Sequence, residues 1–229
     1  MSVAIITGAS RGLGLAVAIG LAENGWRLVI DARDARALSG ARDQLGQLGG
    51  DVLAVPGDIT DPAHRAALRA AASELGGADL LVNNAGILGP SPQPALADYP
   101  LDVLRQVYEV NVLGPLALTQ LVLPGLRARS GAVVNITSDA AMQPYPGWGG
   151  YGSAKAAVEQ VSRVLGAEQP DVRIWAVDPG DLRTRMHQEA FPGEDISDRP
   201  LPETVVPAFL KIVANRPESG RIRLAEVVA

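Results

Sequence analysis

The sequence predicts an α/β fold, a doubly wound parallel sheet of about seven strands with helices on both faces. Three observations carry this expectation. Short β-branched runs alternate with longer segments of helical period along the chain. The runs are apolar almost end to end, as strands buried on both faces are, rather than alternating as in a half-exposed sheet. Helix stop and start signals stand between the runs.

The elements follow in order. Val3-Ala4-Ile5-Ile6-Thr7 reads as a buried strand, and Leu13 to Asn24 as a helix with Leu13, Val17, Gly20 and Leu21 on one face. Gly25 stands where a helix stop is expected. Leu28 to Ile30 is the second strand. An Ala/Leu/Arg-rich helix leads to the third at Val52 to Val55. Asp61-Pro62 opens the next helix, an N-cap with proline at the first helical position. Leu80 to Val82, Ala132 to Ile136 and Val172 to Val177 are the fourth to sixth strands, and Arg221 to Leu224 is a weaker seventh. No linker, low-complexity tract or repeat divides the chain, so residues 1–229 are expected to form a single domain. Gly89 to Pro100 carries four prolines and is expected to cap the C-terminal edge of the sheet. The 184–202 segment mixes charges, His187, Phe191 and prolines, and a loop of that length in a compact domain is expected to be a lid.

Composition excludes several classes. Lys and Arg number 20 against 25 Asp and Glu, a net charge of −5. A basic face for nucleic acid or an anionic membrane is therefore not expected. Hydrophobic residues make up 47%, enough for a sizeable core. The absence of cysteine excludes disulfides, thiolate metal sites and a cysteine nucleophile, and two histidines leave no metal site in view. No apolar run reaches the roughly 18 residues of a membrane span. The N-terminus lacks a basic n-region. A soluble, cytoplasmic enzyme or binding domain is the expectation.

Thr7-Gly8-Ala9-Ser10-Arg11-Gly12-Leu13-Gly14 lies between the first strand and first helix, where a doubly wound sheet binds a dinucleotide. Glycines let the backbone approach a pyrophosphate, and the helix N-terminus meets its charge. The spacing is G-x-x-x-G-x-G rather than G-x-G-x-x-G.

Tyr151 and Lys155 stand at i, i+4, on one face of a predicted helix. An ammonium beside a phenol favours the phenolate, and such a tyrosine exchanges a proton with an alcohol or ketone oxygen near neutral pH. A pair at this spacing also occurs on solvated helix faces. Ser138, thirteen positions earlier, ends the fifth strand at the same sheet edge, where its hydroxyl can donate to a developing oxyanion.

Together these residues resemble the short-chain dehydrogenase/reductase family, in its compact single-domain branch. The matches are Thr7-Gly8-x-x-x-Gly12-x-Gly14, Asp58 in Gly57-Asp58-Ile59-Thr60, Asn83-Asn84-Ala85-Gly86, Asn111, Ser138, Tyr151-x-x-x-Lys155 and Pro179-Gly180-x-x-x-Thr184. They occur in family order and spacing, from residue 3 to about residue 184. The resemblance implies a Rossmann domain with strand order 3-2-1-4-5-6-7. It implies that Gly8, Ser10, Arg11, Gly12, Leu13 and Gly14 cradle the cofactor phosphates. Tyr151 would be the acid in reduction and the base in oxidation. Lys155 would lower its pKa and bond the nicotinamide ribose, and Ser138 would polarise the substrate carbonyl. Asn111 would hold a water linking Lys155 to solvent. Asp58 and Ile59 would face the adenine, and Asn84, Ala85 and Gly86 would line the adenosine side. Pro179, Gly180, Leu182 and Thr184 would cover the nicotinamide end, and Asn83 would tie neighbouring strands.

The choice of nucleotide rests on conflicting clues. Asp31 lies 23 residues after Gly8, where the general rule places an acid on the ribose 2′-hydroxyl and so expects NAD. Asp31 in a turn or cap is the other reading. By resemblance the NAD-selecting acid aligns with Ala32, and Arg33 falls where NADP-dependent relatives carry arginine. Arg11 is a second group within reach of a 2′-phosphate, which a guanidinium binds through two oxygens at once. NADP is favoured, with NAD as the alternative.

The expected substrate is a small carbonyl compound or alcohol, held by Leu88 to Pro94, Ala140 to Trp148 and the lid. Met142, Tyr145, Trp148 and Met186 suggest an apolar or aromatic surface. Arg183, Arg185 and His187 are expected on a solvated lid face, and His64 is expected to be exposed. The stretch from Leu101 to Leu126, which Pro115 is expected to kink or reset, and the helix from Tyr151 to Leu165 are expected to pair two copies into a homodimer. The leading reading is an NADP-dependent oxidoreductase. The alternatives are a non-catalytic NAD(P)-binding sensor or scaffold and an epimerase or dehydratase, whose longer C-terminal domain and G-x-x-G-x-x-G turn this chain does not show.

Overall fold

Strand boundaries fall within two residues of the expectation throughout: β1 (Val3–Ile6), β2 (Arg27–Ala32), β3 (Val52–Pro56), β4 (Leu80–Asn83), β5 (Ala132–Ile136), β6 (Arg173–Asp178) and β7 (Gly220–Arg223). The computed structural model describes residues 1–227. Its strands form one all-parallel sheet in the order β3-β2-β1-β4-β5-β6-β7, the order the resemblance implied. The helices are α1 (Gly12–Glu23), α2 (Ala35–Gly46), α3 (Pro62–Glu74), α4 (Leu101–Tyr108), α5 (Gly114–Ala128), α6 (Gly149–Glu168), α7 (Arg185–Ala190) and α8 (Val206–Asn215).

The apolar runs are explained by burial on both faces. Alternate strand residues go to opposite layers, as the two-residue period requires. Ala4, Ile6, Leu28, Ile30 and Val82 pack with Val17, Leu21, Leu38 and Phe209 of α1, α2 and α8. Val3, Ile5, Val29, Leu81 and Val133 pack with Leu68 of α3 and Leu118 and Leu126 of α5. Each buried Val, Leu, Ile or Phe among them contributes about 1.5–3 kcal/mol.

The Leu101 to Leu126 stretch is helical throughout, but not uniformly α. Between α4 and α5 the chain takes one wide π-turn, Glu109–Leu113. Pro115 has no N–H to offer the Asn111 carbonyl four residues back, so the predicted reset appears as this widened turn just before the proline. Leu101–Ala128 has the length and apolar composition of a membrane span. Half of its apolar window is buried inside the protein, where Leu118, Val122 and Leu126 cover the sheet.

Polar ties hold the C-terminal ends of the strands. Asn83 donates to Asn135 Oδ1 at 2.8 Å and to Thr119 Oγ1 at 3.1 Å, and Asn135 donates to Ser162 Oγ at 2.8 Å. Asn83 thus ties β4 to β5 and α5, as its family position implied. At the end of β2 the Asp31 carboxylate is buried. Its Oδ1 accepts the Gly8 N–H at 2.7 Å, and its Oδ2 lies 2.9 Å from His64 Nε2. Asp31 is therefore a tie between the β1–α1 turn and α3. His64 is not exposed as expected; its side chain is 5% accessible. It shares the inner face of α3 with the buried Leu68, Ala71 and Ala72, at the helical spacings i+4, i+7 and i+8.

His64→Ala leaves Asp31 Oδ2 buried without its donor. The unfolding free energy is expected to fall by about 2–3 kcal/mol, the cost of an unpaired buried charged acceptor. A lower urea midpoint with unchanged slope checks this.

Candidate functional site

A crevice of about 1330 Å³ runs across the C-terminal ends of the central strands. The strand order reverses between β1 and β4 there, and open α/β sheets bind ligands at that switch point.

The glycine-rich turn forms one end. Gly8 has φ +66°, and a Cβ there would lie 2.9 Å from Ala85 Cα. A Cβ on Gly14 would meet both Asn84 Nδ2 and the Gly8 carbonyl oxygen at 2.5 Å. Gly8 is therefore needed for its conformation and for close approach, and Gly14 for close approach. Asn84 closes it from β4: its side-chain amide donates to the carbonyls of Thr7 (2.9 Å) and Gly8 (3.1 Å), while Thr7 Oγ1 accepts from the Asn84 and Ala85 N–H groups at 3.0 Å. Gly8, Ser10, Arg11, Gly12 and Leu13 line the crevice, and Gly14 sits behind them. The bare backbone and the N-terminus of α1 fit a pyrophosphate.

Arg11, Arg33, Asp58 and Ile59 line the same end. Among the described residues, Arg11 and Arg33 make no side-chain hydrogen bond or ion pair, and they act on Asp34 and Asp58 only through their charge. Asp58 Oδ1 accepts from the Thr60 N–H at 2.9 Å and the Thr60 hydroxyl at 2.8 Å. Burial raises the Asp58 pKa, but those bonds and the charges of Arg33 and His64 outweigh it and hold the carboxyl below its usual range.

At the other end the structure brings Ser138, Tyr151 and Lys155 together on the wall of the crevice. Tyr151 and Lys155 lie on one face of α6, with Lys155 Nζ 5.4 Å from the centre of the tyrosine ring. Lys155 Nζ donates to the Ile136 carbonyl at 2.8 Å. Asn111, inside the π-turn, stands behind Gly86, whose Cβ would lie 3.1 Å from Asn111 Oδ1 and 3.8 Å from Lys155 Nζ. Both ends of the Asn111 amide are used on Ile87, its Oδ1 accepting from the N–H at 2.8 Å and its Nδ2 donating to the carbonyl at 2.9 Å.

A network that the sequence did not reveal supports this end. Arg221 of β7 donates to Glu159 Oε1 (2.8 Å), Asp178 Oδ2 (2.7 Å) and, more weakly, the Ser138 carbonyl (3.4 Å). Thr137 donates to the same Glu159 oxygen at 3.0 Å. Asp178 closes the apolar run of β6, but Arg221 and Glu159 stand in elements that carry other charges, so nothing in the sequence singled them out.

The electrostatics differ from the simple expectation. Burial pushes the Tyr151 phenol well above its usual value, and the Asp178 and Asp139 carboxylates push it the same way. Burial also pulls Lys155 down to about 8. The loss of hydration outweighs the attraction between ammonium and phenolate.

Pro179, Gly180, Leu182 and Thr184 line the crevice after β6, with Thr184 Cγ2 3.6 Å from where a Gly12 Cβ would be. The expected lid is more ordered than a loop. Thr184 accepts from the His187 N–H at 3.2 Å and caps the short helix α7, and turns follow it. Ser91, in the proline-rich stretch, donates to the Glu189 carbonyl at 2.6 Å and ties that stretch to the lid. Arg183 and Arg185 are exposed as expected, with Arg185 paired to Glu189 at 2.7 Å. His187 is not on a solvated face: its side chain is 10% accessible and packs on Phe191 at 5.0 Å. Phe191 in turn packs on Trp148 at 5.8 Å, and Trp148 meets Tyr151 edge-on at 5.9 Å. The substrate end is thus aromatic. Its walls also carry Asp139 and Asp181, which the sequence reading passed over.

Comparison with known proteins agrees with this geometry. Residues 2–195 match the family model described as short chain dehydrogenase. The chain is 37% identical over 185 residues to the 7alpha-hydroxysteroid dehydrogenase of Escherichia coli K12, covering 79% of this chain and 71% of that one. Among solved structures, an alcohol dehydrogenase from the archaeon Thermococcus sibiricus, complexed with 5-hydroxy-NADP, superposes with a TM-score of 0.86 at 29% identity, covering 97% of this chain and 95% of that one. A 7alpha-hydroxysteroid dehydrogenase complexed with NADH and 7-oxo glycochenodeoxycholic acid superposes with a TM-score of 0.88 at 31% identity, covering 97% and 92%. With the turn, the Ser–Tyr–Lys cluster and the strand order all in place, the chain belongs to the short-chain dehydrogenase/reductase family.

Proposed function

We propose that the chain is an NADP-dependent oxidoreductase that interconverts a ketone or aldehyde with its alcohol. The observation that carries this reading is the meeting of Ser138, Tyr151 and Lys155 with the glycine-rich turn in one crevice. A nicotinamide dinucleotide bound there supplies or accepts the hydride. The chain does the rest. Gly8 to Gly14 and the start of α1 hold the pyrophosphate. Asn84, Ala85 and Gly86 line the adenosine side, with Asp58 and Ile59 at the adenine. Pro179, Gly180, Leu182 and Thr184 cover the nicotinamide end.

Ser138 donates its hydroxyl to the substrate oxygen, and Tyr151 gives that oxygen a proton in reduction and takes it back in oxidation. The raised pKa of Tyr151 keeps the proton on the phenol, and the ammonium of Lys155 is the group that would bring its acidity back toward the working range. The Lys155 ammonium has three N–H donors and uses one on Ile136, so two remain for ribose hydroxyls. The Asn111 side chain is spent on Ile87, but its backbone carbonyl has no α-helical partner because Pro115 lacks an N–H. That carbonyl supports the role of holding a water that relays protons from Lys155. Exposed Leu113 and Val164, on the two stretches expected to pair, support a homodimer.

The nucleotide preference rests on Asp31. Both its oxygens are engaged, by the Gly8 N–H and by His64, and the side chain is buried, which favours a structural role over a bond to a ribose 2′-hydroxyl. Arg11 and Arg33 stand uncommitted at the same end and suit a 2′-phosphate dianion.

Three outcomes test the reading. Tyr151→Phe is expected to cut turnover at least ~10²-fold, the scale of a lost acid/base group, while NADPH affinity stays. Fluorescence titration and steady-state reduction would separate the two effects. Arg33→Ala is expected to weaken NADPH binding by about tenfold or more, the worth of a charge-assisted hydrogen bond, and to leave NADH binding unchanged. Equal losses for both nucleotides would refute the 2′-phosphate contact. Lys155 is an ammonium below its pKa of about 8 and loses that charge above it. Reductive kcat/KM is therefore expected to fall as pH rises through about 8. Lys155→Arg, which keeps its charge, is expected to be slower but to lack that fall.

A further inference from the structure

Beside the reacting end, Asp139 Oδ1 accepts the Ser138 hydroxyl at 3.0 Å, and its Oδ2 accepts the Tyr145 hydroxyl at 2.9 Å. The carboxylate is half-buried on the crevice wall. The nearby Ala140 N–H is given to Ser138 Oγ, at 3.2 Å, and not to Asp139. A serine hydroxyl has a single proton. When Ser138 turns that proton to a substrate carbonyl, Asp139 Oδ1 loses its donor, a costly state for a charged acceptor in a partly dry site.

We propose that Asp139 selects substrates bearing a hydrogen-bond donor, a hydroxyl or an ammonium, on the carbon next to the reacting carbonyl. The proposal rests on the carbonyl-reducing reading of Ser138 and Tyr151. Oδ1 and the substrate oxygen compete for one hydroxyl, so each sits within about 3 Å of Ser138 Oγ. A donor one carbon away from the carbonyl reaches Oδ1 while the carbonyl oxygen keeps its bond to Ser138. The substrate then replaces the donor that its own binding removes.

The charge of this end points the same way. Asp139, Asp181 and Glu189 all line it. Arg185 is paired to Glu189, and Arg221 is paired to Glu159 and Asp178. Among the described residues lining this end, no unpaired arginine is left for an anionic substrate, and Asp139, whose partners are two hydroxyls, together with Asp181, 3.9 Å from His187, favours an ammonium over a neutral hydroxyl. The Trp148 and Phe191 rings offer an apolar surface for the rest of the molecule.

The test uses the full chain, NADPH and three matched aryl ketones carrying a methoxy, hydroxyl or ammonium group on the carbon next to the carbonyl. The methoxy compound withdraws electrons comparably but donates no hydrogen bond, and so serves as the reference. In the unaltered protein kcat/KM for the hydroxyl and ammonium ketones is expected to exceed the reference by about tenfold or more. Asp139→Ala is expected to bring both ratios near one. Asp139→Asn is expected to keep the hydroxyl preference and lose that for ammonium. If Asp139 only orients Ser138, its removal lowers all three substrates together and leaves the ratios as they were, which overturns the proposal. Ratios within twofold in the unaltered protein overturn it as well. If NADPH binds and no ketone is reduced, the carbonyl-reducing reading falls, and this selection falls with it.

Discussion

All seven strands run parallel, so all seven end on one edge of the sheet, and every loop that leaves that edge competes for the same space. The chain starts in the middle, winds outward through β2 and β3, and returns to β4 on the other side of β1. The connections after β1 and β4 therefore diverge and leave a crevice that no side chain of the sheet fills. The glycine turn, Asn84 to Gly86, Ser138 and Pro179 to Thr184 reach one another only because each is the first segment after a strand ending there.

Such an edge is costly to build. Its strands are apolar through the middle, so the polar groups that open the crevice must be paired as soon as the chain leaves the core. Three side-chain ties meet this need. Asp31 holds the Gly8 N–H and His64 on the β2 side. Asn83 and Asn135 link β4 and β5 to α5 and α6 in the centre. Arg221 gathers Glu159, Asp178 and the Ser138 carbonyl on the β7 side. The buried charges are tolerated because each has its partners, and removing one partner leaves the others exposed to the full desolvation cost. These ties set the positions of the turn and of Ser138 more tightly than loop sequence alone could.

The fold was legible because burial on both faces writes itself into unbroken apolar runs, and the turn and the Tyr151–Lys155 spacing were legible because both are local in sequence. What was hidden depends on contacts distant in sequence. His64 was read by residue type as exposed, although its spacing to Leu68, Ala71 and Ala72 already placed it on the inner face of α3. Its partner Asp31 is 33 residues away in a different element. His187 was read among charged neighbours, yet Thr184 caps a short helix that turns it onto Phe191 and the aromatic wall. Asp139 carries no motif of its own, and only the geometry shows that it shares a proton with Ser138.

The reversal in the Tyr151–Lys155 pair follows from the same constraint. Charge attraction between the two groups favours phenolate and ammonium, but burial opposes both ions, and burial prevails. The tyrosine keeps its proton, the lysine is an ammonium only below about pH 8, and Ser138 rests on Asp139. Ribose hydroxyls would accept from the lysine and favour its charge, and a carbonyl oxygen would draw Ser138 from Asp139. The burial that makes the ions unfavourable in isolation also strengthens every bond the ligand brings. On the proposed reading, a bound substrate and ribose strengthen the charge that Lys155 carries below about pH 8 and redirect the single proton of Ser138.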